Sequence, residues 1–521
     1  MRAFTFSIIL VVLISVFAFA QTEKPPAFEA AEIRASPATT IPFMTGGVLR
    51  GGRYELRTAT MIDMITAAYG LDDDSKVVGG PSWLGVSRFD VIAKAPVSTS
   101  PETVRKMLQS LLADRFKLKI HNDNRPLPVF VLTAGKGTPK MKQSDGSGSS
   151  GCQQQPLPSQ PGVVPYQVFS CRNVSMKQFA EDIRGLAPAY LVDPVVDSTD
   201  LKGTWDFEIK WTARGQLVAA GSDGINIFDA VDKQLGLKLD PQKVSLPVIV
   251  VDAVSDKPTD NLPGVAQVIP PAPTEFEVAV IKPTPPDSTD PPRGGIQPGG
   301  RVDAHAITLK NMITLAWDIH PEMVIGPKWI DTDRFDIVAK APESGPTSGV
   351  AAGPPIDVET LRTMLRALIV ERFKMVTHKE DQPVNVYAIL APRTETKLKK
   401  ADPSNRSECR RVAGPPGNPS LTQSYSCTNT TMAQLASQIA SLAPAYLDRP
   451  VVDLSGFNEA WDFVLSWSPK ALIANAGAGD PSGGLTIFES FDRQLGLKLE
   501  AQKHPMPVLV IDRIEQKPTN Q

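Results

Sequence analysis

The sequence predicts two homologous α+β domains in tandem, each with about four short amphipathic helices packed on mostly antiparallel sheets. Three observations carry this. The chain repeats itself: Leu186–Trp211 (LAPAYLVDPVVDSTDLKGTWDFEIKW) and Leu442–Trp467 (LAPAYLDRPVVDLSGFNEAWDFVLSW) are identical at 14 of 26 positions, at a constant offset of 256. SRFDVIAKAP from Ser87 likewise matches DRFDIVAKAP from Asp333, and QLGLKL begins at both Gln234 and Gln494. A unit of about 250 residues far exceeds a solenoid period, so a whole domain has been duplicated. Secondly, helical and period-two apolar patterns interleave without a regular strand–helix–strand rhythm. Thirdly, the two copies agree on where the helices start and stop.

The elements follow in order. Met61, Met64, Ile65 and Ala68 recur at helical spacing, as do Leu309, Met312, Ile313 and Ala316. Ser100 and Asp357 stand as N-caps before Val104-Met107-Leu108-Leu111 and Leu361-Met364-Leu365-Leu368. Next, Phe116, Leu118 and Ile120 alternate with Arg115, Lys117, Lys119 and His121, which predicts a half-buried strand with the charged set facing water. Ser175-x-x-Gln178 and Thr431-x-x-Gln434 read as capping boxes opening a third helix. Trp205, Phe207, Ile209 and Trp211 share one strand face, as do Trp461, Phe463, Leu465 and Trp467, and these faces are expected in the core. On the other side, Asp206 and Asp462 are expected to be solvated or structurally paired. A fourth helix spans Ile227–Leu235 and Ile487–Leu495, with Gly236 and Gly496 as C′ residues. Strands from Pro247 (PVIVVD) and Pro507 (PVLVID) close each copy.

Organisation follows from composition. Arg2, an apolar run from Ile8 to Phe17 and Ala18-Phe19-Ala20 read as a secretory signal peptide over residues 1–20, with cleavage near Ala20. The first repeat domain is placed at 21–262, a proline-rich linker at 263–274 and the second domain at 275–521. No segment of the mature chain has membrane-spanning length. With 54 basic and 56 acidic residues interspersed, net charge is −2, and no basic patch points to nucleic acid. The expectation is an exported protein, periplasmic or extracellular. Its cysteines, Cys152, Cys171, Cys409 and Cys427, fall at equivalent places, two per copy. An even count in an exported chain reads as disulfides; of the three pairings, the one within each copy is favoured because each closes its own loop.

Several strings are similar to a family of exported proteins abundant in soil bacteria, especially acidobacteria, known as a domain of unknown function. They are FEVAVIKP (Phe276–Pro283), GPKWIDTDRFDIVAKAP (Gly326–Pro342), LIVERFKMVTHKE (Leu368–Glu380), RPVVD (Arg449–Asp453) and FDRQLGLKLEAQK (Phe491–Lys503). The resemblance implies export and fold but assigns no catalytic residue. Some relatives are joined to membrane-bound sensor metallopeptidases, which implies sensing. The helix-then-strand units also resemble the short periplasmic domains of secretins and TonB-dependent receptors, at the level of fold analogy.

Catalytic patterns are missing. There is no G-x-S-x-G and no H-E-x-x-H, and no C-x-x-C that would suit a metal. No cofactor is expected. Gly477, Gly479, Gly483 and Gly484 lack phosphate-loop spacing. Asp72-Asp73-Asp74 has no counterpart in the second copy and reads as a solvated acidic turn. His121 and His378 correspond, but no orienting carboxylate is recognisable from spacing. The remaining candidates are Trp83 and Trp329, which follow Gly-Pro turns, with Arg88 and Arg334 close behind; together they suggest a ligand lip, against the plainer reading of turn aromatics capping the core. The functional expectation is a non-catalytic binding, sensing or interaction module, duplicated for avidity or as a two-faced scaffold, whose partner is an unknown ligand or a cell-envelope protein. The alternative is a hydrolase of unknown type acting on cell-wall or environmental polymer.

Overall fold

The computed structural model describes residues 25–156, 164–342, 347–348, 356–391, 396–415, 422–474 and 484–519. The leader expected at 1–20, and Gly477, Gly479 and Gly483, lie outside the described residues. Within them, four strand-to-helix junctions are built alike. At each, a residue near the strand end takes left-handed backbone: Thr58 (φ 55), Asn173 (φ 50), Ala306 (φ 55) and Asn429 (φ 45). The ladder register slips at all four places. Such a bulge turns an amide out of the ladder and leaves it needing an acceptor. An aspartate on the neighbouring strand supplies it. Asp90 accepts from Thr58 at 3.0 Å, Asp206 from Asn173 at 2.8 Å, Asp336 from Ala306 at 2.9 Å and Asp462 from Asn429 at 2.9 Å. Asp206 and Asp462 are thus structurally paired.

Two residues beyond each bulge stands the helix N-cap: Thr60, Ser175, Thr308 and Thr431, each accepting from the amide three residues on. That satisfies one of the orphan donors of the first turn. Thr431 completes the expected capping box, whereas beside Ser175 the Gln178 side chain accepts from the Ser150 hydroxyl at 2.8 Å instead.

Each junction opens the same βαββαβ unit. In the first, strand Arg53–Thr60 leads to helix Met61–Tyr69, short strand Val77–Gly79, strand Arg88–Lys94, helix Pro101–Arg115 and long strand Lys119–Ala134. In the second, Tyr166–Val174 leads to Met176–Leu186, Val195–Ser198, Trp205–Thr212, a helix from Ile227 that ends as a π-turn at Leu235, and long strand Leu237–Ala253. Gly236 (φ 71) closes that helix in left-handed backbone, as expected, and Lys117 (φ 54) takes the matching conformation after the earlier one. Each copy seen in the sequence is therefore itself a pair of smaller units.

The two long strands of a copy pair antiparallel from Leu237↔Ala134 to Ala253↔Lys119, forming one ribbon shared by both units. The short strands flank it in parallel, Val77–Gly79 at one end and Val195–Ser198 at the other. Val376–Leu390 and Lys498–Arg513 make the same ribbon in the second copy. An apolar core sits at each end of the ribbon. One in the first copy gathers Leu56, Met64, Phe89 and Phe116; the other gathers Phe179, Phe207, Trp211 and Leu235. The expected Trp-bearing strand faces are indeed core: Trp211 and Trp467 are each 2 % exposed. Each apolar cluster among the described residues draws on one copy only.

One element differs from expectation. The strand after the second helix begins at Lys119; Arg115 is the last helical residue and is buried. Its guanidinium donates to the carbonyls of Thr259 and Ala31 and to the Asn261 side chain. The left-handed Lys117 breaks the alternation that seemed to place Arg115 on a wet strand face.

Both disulfides form within a copy, Cys152–Cys171 and Cys409–Cys427. Each joins directly opposed residues of an edge strand and the strand carrying the bulge. Closing loops with separations of 19 and 18 residues contributes about 3 kcal/mol each in the chain-entropy model.

The four aspartates should differ in weight. Asp90 is buried and also holds Ser36 and Arg57, so Asp90→Ala should cost about 3 kcal/mol or more, as for a buried ion network broken on one side. Asp206→Ala should cost about 1–3 kcal/mol, the desolvation penalty of one orphaned amide. Urea unfolding checks both; wild-type stability for either variant would mean that the bulge holds without its acceptor.

Candidate functional site

The copies meet through polar contacts. Arg406 donates to the carbonyls of Val77 and Gly79 at 2.8 Å each, the Ser407 amide donates to the Ser82 carbonyl at 3.0 Å, and Arg214 reaches the Gly414 carbonyl at 2.9 Å. Beside this seam lies a cavity of about 890 Å³ walled by three of the four units. The first unit supplies Asp63 at the start of its first helix, the turn Asp72–Ser75, and Arg88. From the second unit come Glu181, Arg184 and Asp193; the second copy closes the third wall with Glu408, Arg410, Arg411 and Gln438. Phe43 and Met44, 51 % and 36 % exposed, form an apolar rim.

The lining is ionic and unbalanced. Asp63, Asp72, Asp73, Asp74, Glu181, Asp193 and Glu408 line it with Arg88, Arg184, Arg410 and Arg411, and Lys76 pairs with Asp72 at 2.5 Å from outside the lining. Much of the positive charge is already engaged. Arg184 pairs with Asp73, and Arg88 donates to the Thr58 carbonyl at 2.7 Å, with Asp63 at 3.9 Å. The expected solvated acidic turn is corrected at one position: Asp72 and Asp74 are exposed, but Asp73 is buried, because Arg184 from the second unit lies against it. Burial pushes the Asp73 carboxyl up, but the Ser75 hydroxyl and amide and the Arg184 guanidinium outweigh it and hold it below the usual range. Asp74 is open to water at the cavity mouth, yet the surrounding protein raises it above the usual range, with the Asp73 charge adding to the effect. Burial also raises Asp193, against the opposing pull of Arg410 and Arg184. Burial thus makes the charged form of both carboxyls costlier than that of an ordinary surface aspartate.

Of the four ligand-lip candidates from sequence, Trp83, Arg88, Trp329 and Arg334, Arg88 alone lines this cavity, together with the acidic turn Asp72–Asp74. Trp83 sits in the short turn Ser82–Gly85, packed on the core edge-to-face with Phe89, the ring centroids 6.4 Å apart. Trp329 packs on the equivalent core in the turn Lys328–Asp331, and Arg334 donates to the Ser288 carbonyl at 2.8 Å. Arg184, Asp193 and Arg410 were missed. Their signal lay where the copies disagree: Asp193 stands where the second copy has Arg449, and the acidic turn has no counterpart.

The histidines also differ from expectation. His121 Nδ1 lies 2.8 Å from Asp252, and His378 Nδ1 lies 2.8 Å from Asp512, across each ribbon. Both aspartates fall at register slips in the ribbon, which is why spacing alone did not reveal them. Among the described residues no Ser, Thr or Cys side chain bonds to either ring, no cysteine is free, and no cluster of His, Cys, Asp and Glu suits a metal.

Fold and seam define a tandem protein in which each repeat is a two-unit α+β domain sharing one ribbon. The model of the family described as "Protein of unknown function (DUF3738)" matches residues 62–254 and 310–514, and the chain belongs to that family, in two copies. Each match runs from the first helix of a copy to the end of its ribbon, so the family domain contains both units. No curated protein and no solved structure matches the chain. No helix among the described residues is long and apolar enough to cross a membrane.

The raised Asp193 carboxyl has a pH signature. The folded state binds its proton more tightly than the unfolded chain does, so ionising it costs stability as pH rises past the ordinary carboxylate value of about 4. Asp193→Asn should therefore raise the melting temperature at neutral pH and give no gain below about pH 4. Melting curves across that range decide it; a loss of stability at neutral pH would place Asp193 in a stabilising ion pair instead.

Proposed function

We propose that the chain is an exported, non-catalytic binding or sensing module whose ligand site is the acidic cleft between its repeats. On this reading the repeat domains span 21–262 and 275–521 around a linker at 263–274. The observation that carries the proposal is the excess of carboxylates in the cleft, two of which, Asp74 and Asp193, burial raises above the usual carboxylate range. Such a site gains most from a polar ligand bearing amine groups, whose fixed cation offsets the cost of holding these carboxylates charged. Amino-sugar oligomers and basic peptides have that chemistry, and both suit a protein that meets the cell envelope. Phe43 and Met44 at the rim offer apolar contact to the ligand body.

Thermal shift at pH 7.5 with glucosamine oligomers and lysine-containing peptides tests the reading. The melting temperature should rise with either class and stay unchanged with anionic oligosaccharides. Asp74→Asn combined with Asp193→Asn should abolish the rise. No shift from any amine-bearing probe would end this assignment of the cleft.

The two His–Asp pairs favour a second reading, hydrolysis of an envelope or environmental polymer, since a carboxylate-oriented imidazole is the form a general base takes. Without a neighbouring nucleophile it would have to activate water. His121→Ala with His378→Ala should change stability by less than about 1 kcal/mol, because both pairs are half-exposed. The same double variant should leave the amine-dependent shift intact. Polymer turnover abolished by that variant would instead establish the hydrolase.

A further inference from the structure

The first and second copies treat one equivalent surface differently. In the first copy, Ile92 lies on the outer face of the N-terminal sheet, between Glu32 and Glu55 on the flanking strands. That face is covered by the chain's own linker. Asn261 exchanges hydrogen bonds of 2.9 Å with both the amide and the carbonyl of Ile33, turning the chain over the edge strand. The short helical turn Val265–Val268 then packs on strand Ala30–Ala35. Ile269 follows and is 4 % exposed, and the Pro270 carbonyl accepts from Arg53 at 2.7 Å. On the same face Ile92 is 5 % exposed.

In the second copy the same positions are occupied by Val338, flanked by Val280 and Asp303, with Arg301 in the place of Arg53. Here Val278, Val280 and Val338 are 64 %, 41 % and 46 % exposed. The substitutions make the face more apolar, since Val278 and Val280 stand where the first copy has Ala30 and Glu32. Arg301 and Asp303 pair at 2.9 Å but remain open to water, whereas Arg53 and Glu55 are enclosed. Three exposed valines on adjacent strands are a contiguous apolar patch of the kind that marks an interaction surface.

We propose that this face docks an extended, proline-containing apolar segment of another polypeptide, bound as Ile269-Pro270 binds the first copy. A branched apolar side chain sits over Val338 between Val280 and Asp303, and the carbonyl after it accepts from the Arg301 guanidinium. The first copy fixes the chemistry of the occupant, because the same fold already holds such a segment at the same place. This surface is separate from the acidic cleft, and neither proposal depends on the other.

The test uses the full chain and a fluorescein-labelled peptide with the sequence of residues 261–274, followed by fluorescence anisotropy. One peptide should bind per chain, saturably, at the second copy, since the first is already covered. Val338→Asp and Arg301→Ala should each weaken binding about tenfold or more, as expected for anchors at the centre of an interface. A peptide with Ser replacing the isoleucine should not bind. Melting curves confirm that the variants fold, and Val280→Asp serves in place of Val338→Asp should that variant fail to fold. Absence of saturation at millimolar peptide, or binding unaffected by these substitutions, overturns the proposal. So does sedimentation showing that the chain dimerises through this face while the peptide fails to compete.

Discussion

An aspartate that accepts the amide of a left-handed strand residue is the contact on which the rest of the architecture depends. It does three things at once. It stabilises a bulge that would otherwise leave a backbone donor unsatisfied. The bulge, in turn, sets the N-cap two residues later, so the helix leaves the sheet at a fixed angle and lays its apolar side on the sheet face. The aspartate also ties two neighbouring strands together at the point where their ladder is weakest. Four such contacts, at Asp90, Asp206, Asp336 and Asp462, organise four units. At Asp90 and Asp336 additional partners draw loop residues in: Ser36 and Thr284 donate to them at 2.8 and 2.7 Å.

Much of this was legible in the sequence. N-caps, apolar spacings and helix-closing glycines are local signals, and Ser100, Asp357, Thr431 and Gly236 sit where their side chains or their lack of one predict. The duplication placed the cysteines at equivalent positions and so favoured the pairing that the fold contains. The deeper repeat was hidden because its defining residue is conformational: Thr, Asn, Ala and Asn all occupy the left-handed position, and a backbone dihedral leaves little trace in residue type. Arg115 was misplaced for the same reason, a left-handed Lys117 interrupting what looked like strand alternation. The acidic turn was misread because its partner, Arg184, is 111 positions away in sequence.

Duplication and asymmetry are both needed to account for the cleft. Cores, ribbons and disulfides recur in the two copies because they serve stability, and stability places the same demands on each. The cleft does not recur. Its walls come from three units, and key residues such as Asp193 and the turn at Asp73 are exchanged or missing in the other copy. Polar contacts at the seam, including Arg406 on the carbonyls of Val77 and Gly79, hold the units in place without merging their cores. A second copy that is free to diverge at the seam can change the charge of a shared cavity while leaving its own interior unchanged.

The ribbon imposes an order on how the chain acquires structure. The core containing Leu56 and Phe89 also contains Ile249 and Val251, contributed by the last strand of the copy. The earliest helices therefore have no finished core to pack into until nearly two hundred further residues are available. In the second copy the same role falls to Leu509 and Ile511, close to the end of the sequence. Contacts so distant along the chain carry a large loop-closure cost and slow the search for the native pairing. During synthesis the core that draws on the final strand stays unfinished in each copy and is completed in one late step when that strand arrives. The first copy can finish that step before the second has all its parts, so the tandem assembles as two successive closures.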